Sequence, residues 1–409
     1  METIKKIGFF LAEPRQIDYY KNILKNIPKN LRLIIINDFE YSKDTKDYKK
    51  IEQFCIENNY EFISSKTLVK NNQKILIVIG TGNKSYHNEK LPFVKIIINY
   101  FKFIFAKTFG VAIQKTKLNF FFFKIIKKNL TFGGTKAKLV LTEEVPPEAI
   151  LGHKKILFPR GMDIYYNHPG PMRKKYFDYF FSISKFDDDY IKKNTTKKSY
   201  IIGYPRYDKL TKKILDEDLL VQLDKTKKNI LWITSDLIEN ENKNKNITLW
   251  LESVTQLTKN YNVIFRPHPN TVKINKNLIE KIQETNLIVD LTADRDLKIL
   301  YDNSYLVIAD YGGPIFSALY CKKNVLLFNV QSNLKKSFKF DLKMRDHLYN
   351  LDIEKVGKNQ LNNILDNLEN FSKIKTKSLI SRKKIFPNND LKLEFNEIIN
   401  NIFKYENKY

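Results

Sequence analysis

The sequence predicts an α/β protein of two Rossmann-like domains facing each other across a cleft, with a C-terminal helical segment. Three observations carry that expectation. Short, fully apolar runs alternate with helical stretches, the pattern of a parallel sheet covered on both faces. The alternation breaks at a charged, lysine-rich segment from Asp208 to Lys228 and then starts again. The chain has 409 residues, which at roughly 150 residues per domain makes two or three domains.

In the first half, Ile7–Ala12, Leu31–Ile36, Ile75–Ile79, Leu139–Thr142 and Ile156–Phe158 read as strands, and Ile51–Asn58 reads as a helix. Tyr200–Ile202 is strand-like. After Leu210 come Ile230–Thr234, Asn262–Phe265, Leu287–Val289, Leu306–Ala309 and Val325–Phe328, with helical spacers between them. The last ~70 residues are polar and helical, with no further strand pattern. The expected domains are therefore 1–207, 208–375 and a helical tail at 376–409.

One insert stands apart. Residues 92–129 are aromatic, apolar and spiked with lysine. Lys95, Asn99 and Lys102 fall on one helical stripe, and Lys117, Lys124 and Lys128 form another. Such a pattern suits either a helix in the interface of an anionic membrane or a pair of core-facing helices of the first domain.

Composition narrows the classes. Apolar residues make up 43% and charged residues 28%, a globular balance that excludes a disordered or collagen-like chain. Two cysteines, Cys55 and Cys321, exclude a disulfide framework and a cysteine-rich zinc site. No signal peptide or membrane-spanning run is visible, so a cytoplasmic protein is expected. Lys and Arg number 71 against 45 Asp and Glu, a formal charge of +26, which favours anionic partners. Part of that excess is the general Lys, Asn and Ile richness of the chain. No zinc finger, RNP motif or basic helix-turn-helix is present, so nucleic acid is not an expected partner.

Four local signals could carry chemistry. In Phe158-Pro159-Arg160-Gly161-Met162-Asp163, a glycine turns the backbone directly after a strand, placing Arg160 and Asp163 where open α/β sheets bind ligands. In Gly203-Tyr204-Pro205-Arg206-Tyr207-Asp208, a proline-fixed turn projects Arg206 and Asp208, as a site or as a plain domain crossover. In Arg266-Pro267-His268-Pro269, two prolines frame a histidine at a strand end; such a ring donates to phosphate or moves a proton, and Arg266 suits a phosphate clamp. In Asp310-Tyr311-Gly312-Gly313-Pro314-Ile315-Phe316-Ser317, a strand, two glycines, a proline and then a helix make a backbone cradle for phosphate.

Taken together, these signals resemble the CDP-glycerol glycerophosphotransferase family, the teichoic-acid primases and polymerases. The order matches from about residue 150 to 330. A family turn bearing His-Gly is here Arg160-Gly161. Phe177–Ser184 precedes the Gly203–Asp208 element. A strand ending in Pro-Thr is here Trp232-Ile233-Thr234. The family's His-Pro is His268-Pro269, and its acidic-Tyr-Ser-Ser element is Asp310-Tyr311-Gly312-Gly313, with Phe316-Ser317 after it. The first 150 residues match only in strand pattern.

The resemblance implies a GT-B fold. It also implies transfer of a polyol phosphate from a CDP-activated donor to a lipid-linked acceptor, at the inner face of the cell membrane. The donor would lie near His268, Arg266, Thr234, Arg206, Asp310, Gly312, Gly313 and Ser317. No cofactor and no metal is expected, cationic side chains neutralising the charge instead. Departures from the family pattern matter. Arg160 stands where the family carries a histidine thought to be the general base, which makes Asp163 the candidate base beside His268 and Arg160. The paired serines are Gly312-Gly313 and the acid after Phe316 is Ser317. Two other readings therefore stay open: a GT-B glycosyltransferase using a nucleotide sugar for capsule or lipopolysaccharide, and a non-catalytic membrane-associated binding protein.

Overall fold

Two all-parallel sheets organise the chain. The structure, a computed structural model, describes residues 2–39, 44–81, 146–159, 176–207, 214–234, 241–292, 295–310, 312–329, 347–352, 360–386 and 392–407. The insert 92–129, the expected strand Leu139–Thr142, and Arg160, Asp163 and Asp208 lie outside them.

The first sheet holds β1 (Glu2–Leu11), β2 (Arg32–Ile36), β3 (Phe62–Ser64), β4 (Gln73–Gly80), β5 (Gly152–Leu157), β6 (Tyr179–Ser182) and β7 (Lys198–Ile201), in the order β3-β2-β1-β4-β5-β6-β7. Side chains alternate across it with the period of two that a strand imposes. Phe9, Ile34 and Ile77 face one layer with Tyr20, Ile23 and Leu24 of the helix Ile17–Leu24. Phe10, Ile35 and Val78 face the other layer, with Leu68 and Leu151. Both faces are covered, which is why the strands read as unbroken apolar runs.

The second sheet holds β8 (Lys228–Ile233), β9 (Tyr261–Arg266), β10 (Ile288–Val289), β11 (Leu306–Ala309), β12 (Asn324–Phe328) and β13 (Tyr349–Leu351), in the order β10-β9-β8-β11-β12-β13. Strand β13 corrects the expectation of a strand-free C-terminal stretch. It is three residues long, and only its pairing with β12, Leu326 beside Tyr349, makes it a strand. Strand β3, also three residues long, escaped the periodicity too, as did β6.

The C-terminal region does not lie on the second sheet alone. The helix Leu368–Ile385 runs through residue 375 and packs Phe371 and Ile374 on the second sheet. The helix Lys392–Glu406 packs Phe395, Ile399, Ile402 and Phe403 into the core of the first sheet. Glu406 there accepts a hydrogen bond from the Tyr179 phenol and pairs with Lys154 at 3.2 Å. The chain thus closes back on its beginning.

Candidate active site

In an open parallel sheet, ligands bind beyond the carboxyl ends of the strands where the winding reverses. In the second sheet that switch point lies between β8 and β11. Register decides what meets there: Ala309 of β11 lies beside Ile233 of β8, and Ile233 lies beside Arg266 of β9. The residues that follow, Asp310, Thr234 and Pro267-His268, therefore leave one edge of the sheet together. With about 4.8 Å between neighbouring strands, the β9 and β11 ends stand roughly 10 Å apart.

The β11 loop has the conformation that its glycines predict. Gly312 has φ 87° and ψ −167°, a region that side-chain-bearing residues avoid. It caps the helix Gly313–Tyr320, with Pro314 in the first turn, where a missing N–H costs nothing. Asp310 is buried at the strand end. Thr234 is buried too, and among the described residues its hydroxyl has no hydrogen-bond partner. A buried hydroxyl without a partner is uncommon. This one sits at the switch point.

His268 is the N-cap of the helix Pro269–Ile274, and its Nδ1 accepts from the Asn270 N–H at 3.2 Å. Pro269 starts that helix, and His268 stays at the strand end as its extended cap. The consequence is chemical. With Nδ1 accepting, the neutral ring carries its proton on Nε2, ready to donate to an anionic oxygen.

Two expected donor contacts are turned elsewhere. Arg266 Nη1 donates to Asp290 Oδ2 at 3.0 Å, to the Asp290 carbonyl at 3.2 Å and to the Thr292 carbonyl at 2.7 Å. A guanidinium so engaged in a buried ion pair holds a loop rather than clamping phosphate. Ser317 lies one turn into its helix, where its hydroxyl pairs with the phenol of the buried Tyr301, in the core rather than on the loop. Arg206 lies between the two sheet layers. Its guanidinium is 3.6 Å from Asp18, on the first-sheet helix, and 3.9 Å from Asp296, beside the second sheet. Asn22 donates to the Pro205 carbonyl at 2.7 Å, fastening the same turn to the same helix.

The sequence reading missed the partners that hold these groups. Asp290 also receives Arg295 Nε at 3.1 Å, and Arg295 pairs further with Asp216 and Asp218 at the junction between the sheets. The run Asp290-Leu291-Thr292-Ala293-Asp294-Arg295-Asp296 directly after a strand was the available signal. On the first sheet, Gly80 ends β4 against Glu148. A Cβ on Gly80 would press on the buried Glu148 side chain, which would have to shift. Burial, followed by the charge of Glu148, pushes the phenol of Tyr20 well above its ordinary pKa. Among the described residues, no three His, Cys, Asp or Glu side chains are grouped to hold a metal ion.

Comparison with known proteins supplies the kinship. The family model of CDP-glycerol:poly(glycerophosphate) glycerophosphotransferase matches residues 165–349, the span holding His268 and the Gly312-Gly313 loop. Over that span, under half of the chain, the sequence is similar to the CDP-glycerol glycerophosphotransferases, and the likeness points to a glycerophosphotransferase-like enzyme. Among solved structures, the wall teichoic acid polymerase TagF superposes with a TM-score of 0.51 at 14% identity, over 99% of this chain and 90% of that one. A TagF histidine variant with CDPG gives 0.53 at 13% identity, over 100% and 91%. A putative UDP-N-acetylglucosamine 2-epimerase from Listeria monocytogenes gives 0.51 at 11% identity, over 92% and 94%. At these identities the likeness shows the fold, which is α/β of the GT-B type. No curated protein matches at the level of sequence.

Proposed function

We propose that the chain transfers a glycerol- or ribitol-phosphate unit from a CDP-activated donor to a lipid-linked or cell-surface glycan acceptor. The observation that supports this most is the shared edge of β9, β8 and β11, which gathers His268, Thr234, Asp310 and the Gly312-Gly313 bend at the switch point of one sheet. The donor's pyrophosphate rests on the bend and the Thr234 hydroxyl. His268 donates from Nε2 to an oxygen of that pyrophosphate. The acceptor hydroxyl attacks the polyol-bearing phosphorus and gives its proton to a base, while CMP leaves with the oxygen that bridged the two phosphates. Asp163 is the candidate base and Arg160 its neighbour in sequence. Arg206 acts from the turn between the sheets, and Arg266 acts by holding the loop at Asp290 beside the His268 strand. The protein works peripherally on the inner face of the membrane, through 92–129.

The test is donor-dependent product release. CDP-glycerol or CDP-ribitol should yield CMP in the presence of an acceptor. Release of UDP from a UDP-sugar would replace this reading with a glycosyltransferase, a reading favoured by the loss of the two serine hydroxyls at Gly312-Gly313. No turnover with any nucleotide donor would leave the non-catalytic binding protein.

A further inference from the structure

Three tyrosines at the junction between the sheets are buried: Tyr204 and Tyr207 on the turn after β7, and Tyr301 on the helix Leu297–Asp302. Phenylalanine would fill the same space with no hydroxyl to satisfy, so each buried phenol needs a reason for its oxygen. For Tyr301 the reason is specific. Its hydroxyl donates to the Pro314 carbonyl at 3.4 Å and pairs with the Ser317 hydroxyl. Both partners lie in the first turns of the helix Gly313–Tyr320, directly behind the glycine bend. Burial pushes this phenol far above its ordinary pKa, so it keeps its proton and stays a donor. What the bend offers a phosphate depends on those turns. Pro314 has no N–H, and the Ile315 N–H turns back to the Gly312 carbonyl at 3.2 Å. The N–H groups that the bend can turn to a ligand are then those of Gly312 and Gly313. Two successive glycines restrain their own backbone little, so their direction is set by what holds the helix behind them.

Tyr301 is itself braced from the Gly203–Tyr207 turn. Its ring meets the Tyr207 ring edge-on, at 6.1 Å and 88°, and Tyr207 meets Tyr204 at 5.1 Å. The Arg206 guanidinium lies 5.6 Å from the centre of the Tyr207 ring. It also reaches Asp296, which caps the Tyr301 helix by accepting from the Lys298 N–H at 3.1 Å. The Tyr204 N–H donates to the Tyr320 hydroxyl at 3.0 Å, at the far end of the glycine helix. Gly203, with φ 67°, lets the chain turn there. Asp18 and Asn22 fasten the same turn to the first-sheet helix Ile17–Leu24. One turn therefore grips both ends of the helix behind the bend, one end directly and the other through Tyr301. We propose that Tyr301 is a positioning residue for the donor: its hydroxyl fixes the first turns of the helix Gly313–Tyr320 and so aims the Gly312 and Gly313 amides, and the Gly203–Tyr207 turn braces it against the first sheet's layer. The inference rests on the donor site proposed above and names what fixes that site's geometry.

The experiment uses the full chain carrying Tyr301→Phe, which removes one oxygen and keeps the ring. A bend that holds the donor's pyrophosphate equally in the bound and the reacting state contributes uniform binding, so loosening it raises KM and spares kcat. With CDP-glycerol as donor, KM should rise about three- to tenfold, the effect of one hydrogen bond, with kcat within about twofold. A phenol that only stabilised the fold would lower the melting temperature and the active fraction and leave KM where it was. In the ligand-free chain, hydrogen exchange at the amides of Ile315 to Ala318 should quicken by a similar factor, with the amides of β11 unchanged. Arg206→Ala should quicken the same amides by removing the brace. The proposal is overturned if exchange over Ile315–Ala318 is unchanged in Tyr301→Phe, or if it quickens while KM stays put. It is overturned equally if Arg206→Ala leaves those amides as protected as before. Absence of CMP release by the unaltered chain would instead remove the transferase reading. The inference is then decided by exchange and by the Kd for CDP, which should weaken by the same factor in Tyr301→Phe; an unchanged Kd, or no binding of CDP, overturns it.

Discussion

At the residue scale, Gly312 adopts the bend its local sequence foretells, His268 caps a helix at the strand end, and Arg266 turns to Asp290. His268→Ala should lower turnover by about 10²–10⁴ if its Nε2 moves or donates a proton at the reacting phosphate, as measured by CMP release. Gly312→Val should cost about 1–3 kcal/mol in strain at its positive φ, and should abolish the thermal shift produced by CDP-glycerol. For Arg266 the structure changes the expectation. Removing it takes one of two guanidinium partners from the buried Asp290, leaving Arg295, and frees the Thr292 carbonyl, a loss of about 1–3 kcal/mol. Arg266→Ala should therefore lower the melting temperature, where a simple phosphate clamp would raise only the donor KM. His153 gives a pH test. Burial and then the nearby Lys74, Lys155 and Lys154 lower its pKa. Its protonation is thus disfavoured in the folded state. The stability it contributes is present above its unfolded pKa and is lost as pH falls through the lower, folded one. His153→Gln should remove that part of the acid dependence in melts followed from neutral to mildly acidic pH.

At the element scale, the long apolar strands were legible, because burial on both faces writes an unbroken run into the sequence. Ile75–Ile79, Ile230–Thr234, Leu306–Ala309 and Val325–Phe328 all fall on or overlap strands. Two of the short strands were not legible. Tyr349–Leu351 and Phe62–Ser64 have three residues each, too few to show a period, and they exist through their pairing with β12 and β2. The loops that follow the strands were legible wherever glycine or proline restricts the backbone, hence the Gly312 bend and the Pro267–Pro269 frame. Where a loop is held by distant side chains, as at Asp290, the charged run after the strand marks a polar loop but not the partners that hold it.

At the scale of the whole molecule, the C-terminal helix ties the end of the chain to the first sheet. Its Phe395, Ile399, Ile402 and Phe403 are buried there, each worth about 1.5–3 kcal/mol. A chain truncated before residue 392 should expose that core and aggregate, or lose the first-sheet unfolding transition in calorimetry. The Arg206 turn is the other tie between the halves. Arg206→Ala should change the donor KM and the melting profile together, since its guanidinium lies between Asp18 and Asp296.

By itself the sequence determined the α/β class, the two windings, the similarity of residues 165–349 to the glycerophosphotransferases, and the strand-end loops holding His268, Asp310 and the glycines. These are local properties: a run of apolar side chains, a glycine's freedom, a proline's constraint. Only the tertiary structure decided that β9, β8 and β11 present those loops on one edge, that Arg266 turns to Asp290 and Ser317 to Tyr301, and that the last helix returns to the first strands. Those outcomes depend on partners far away in the chain, as when Glu406 meets Tyr179. A side chain with two possible partners goes where burial leaves its polar atoms satisfied, and only the packed chain sets that.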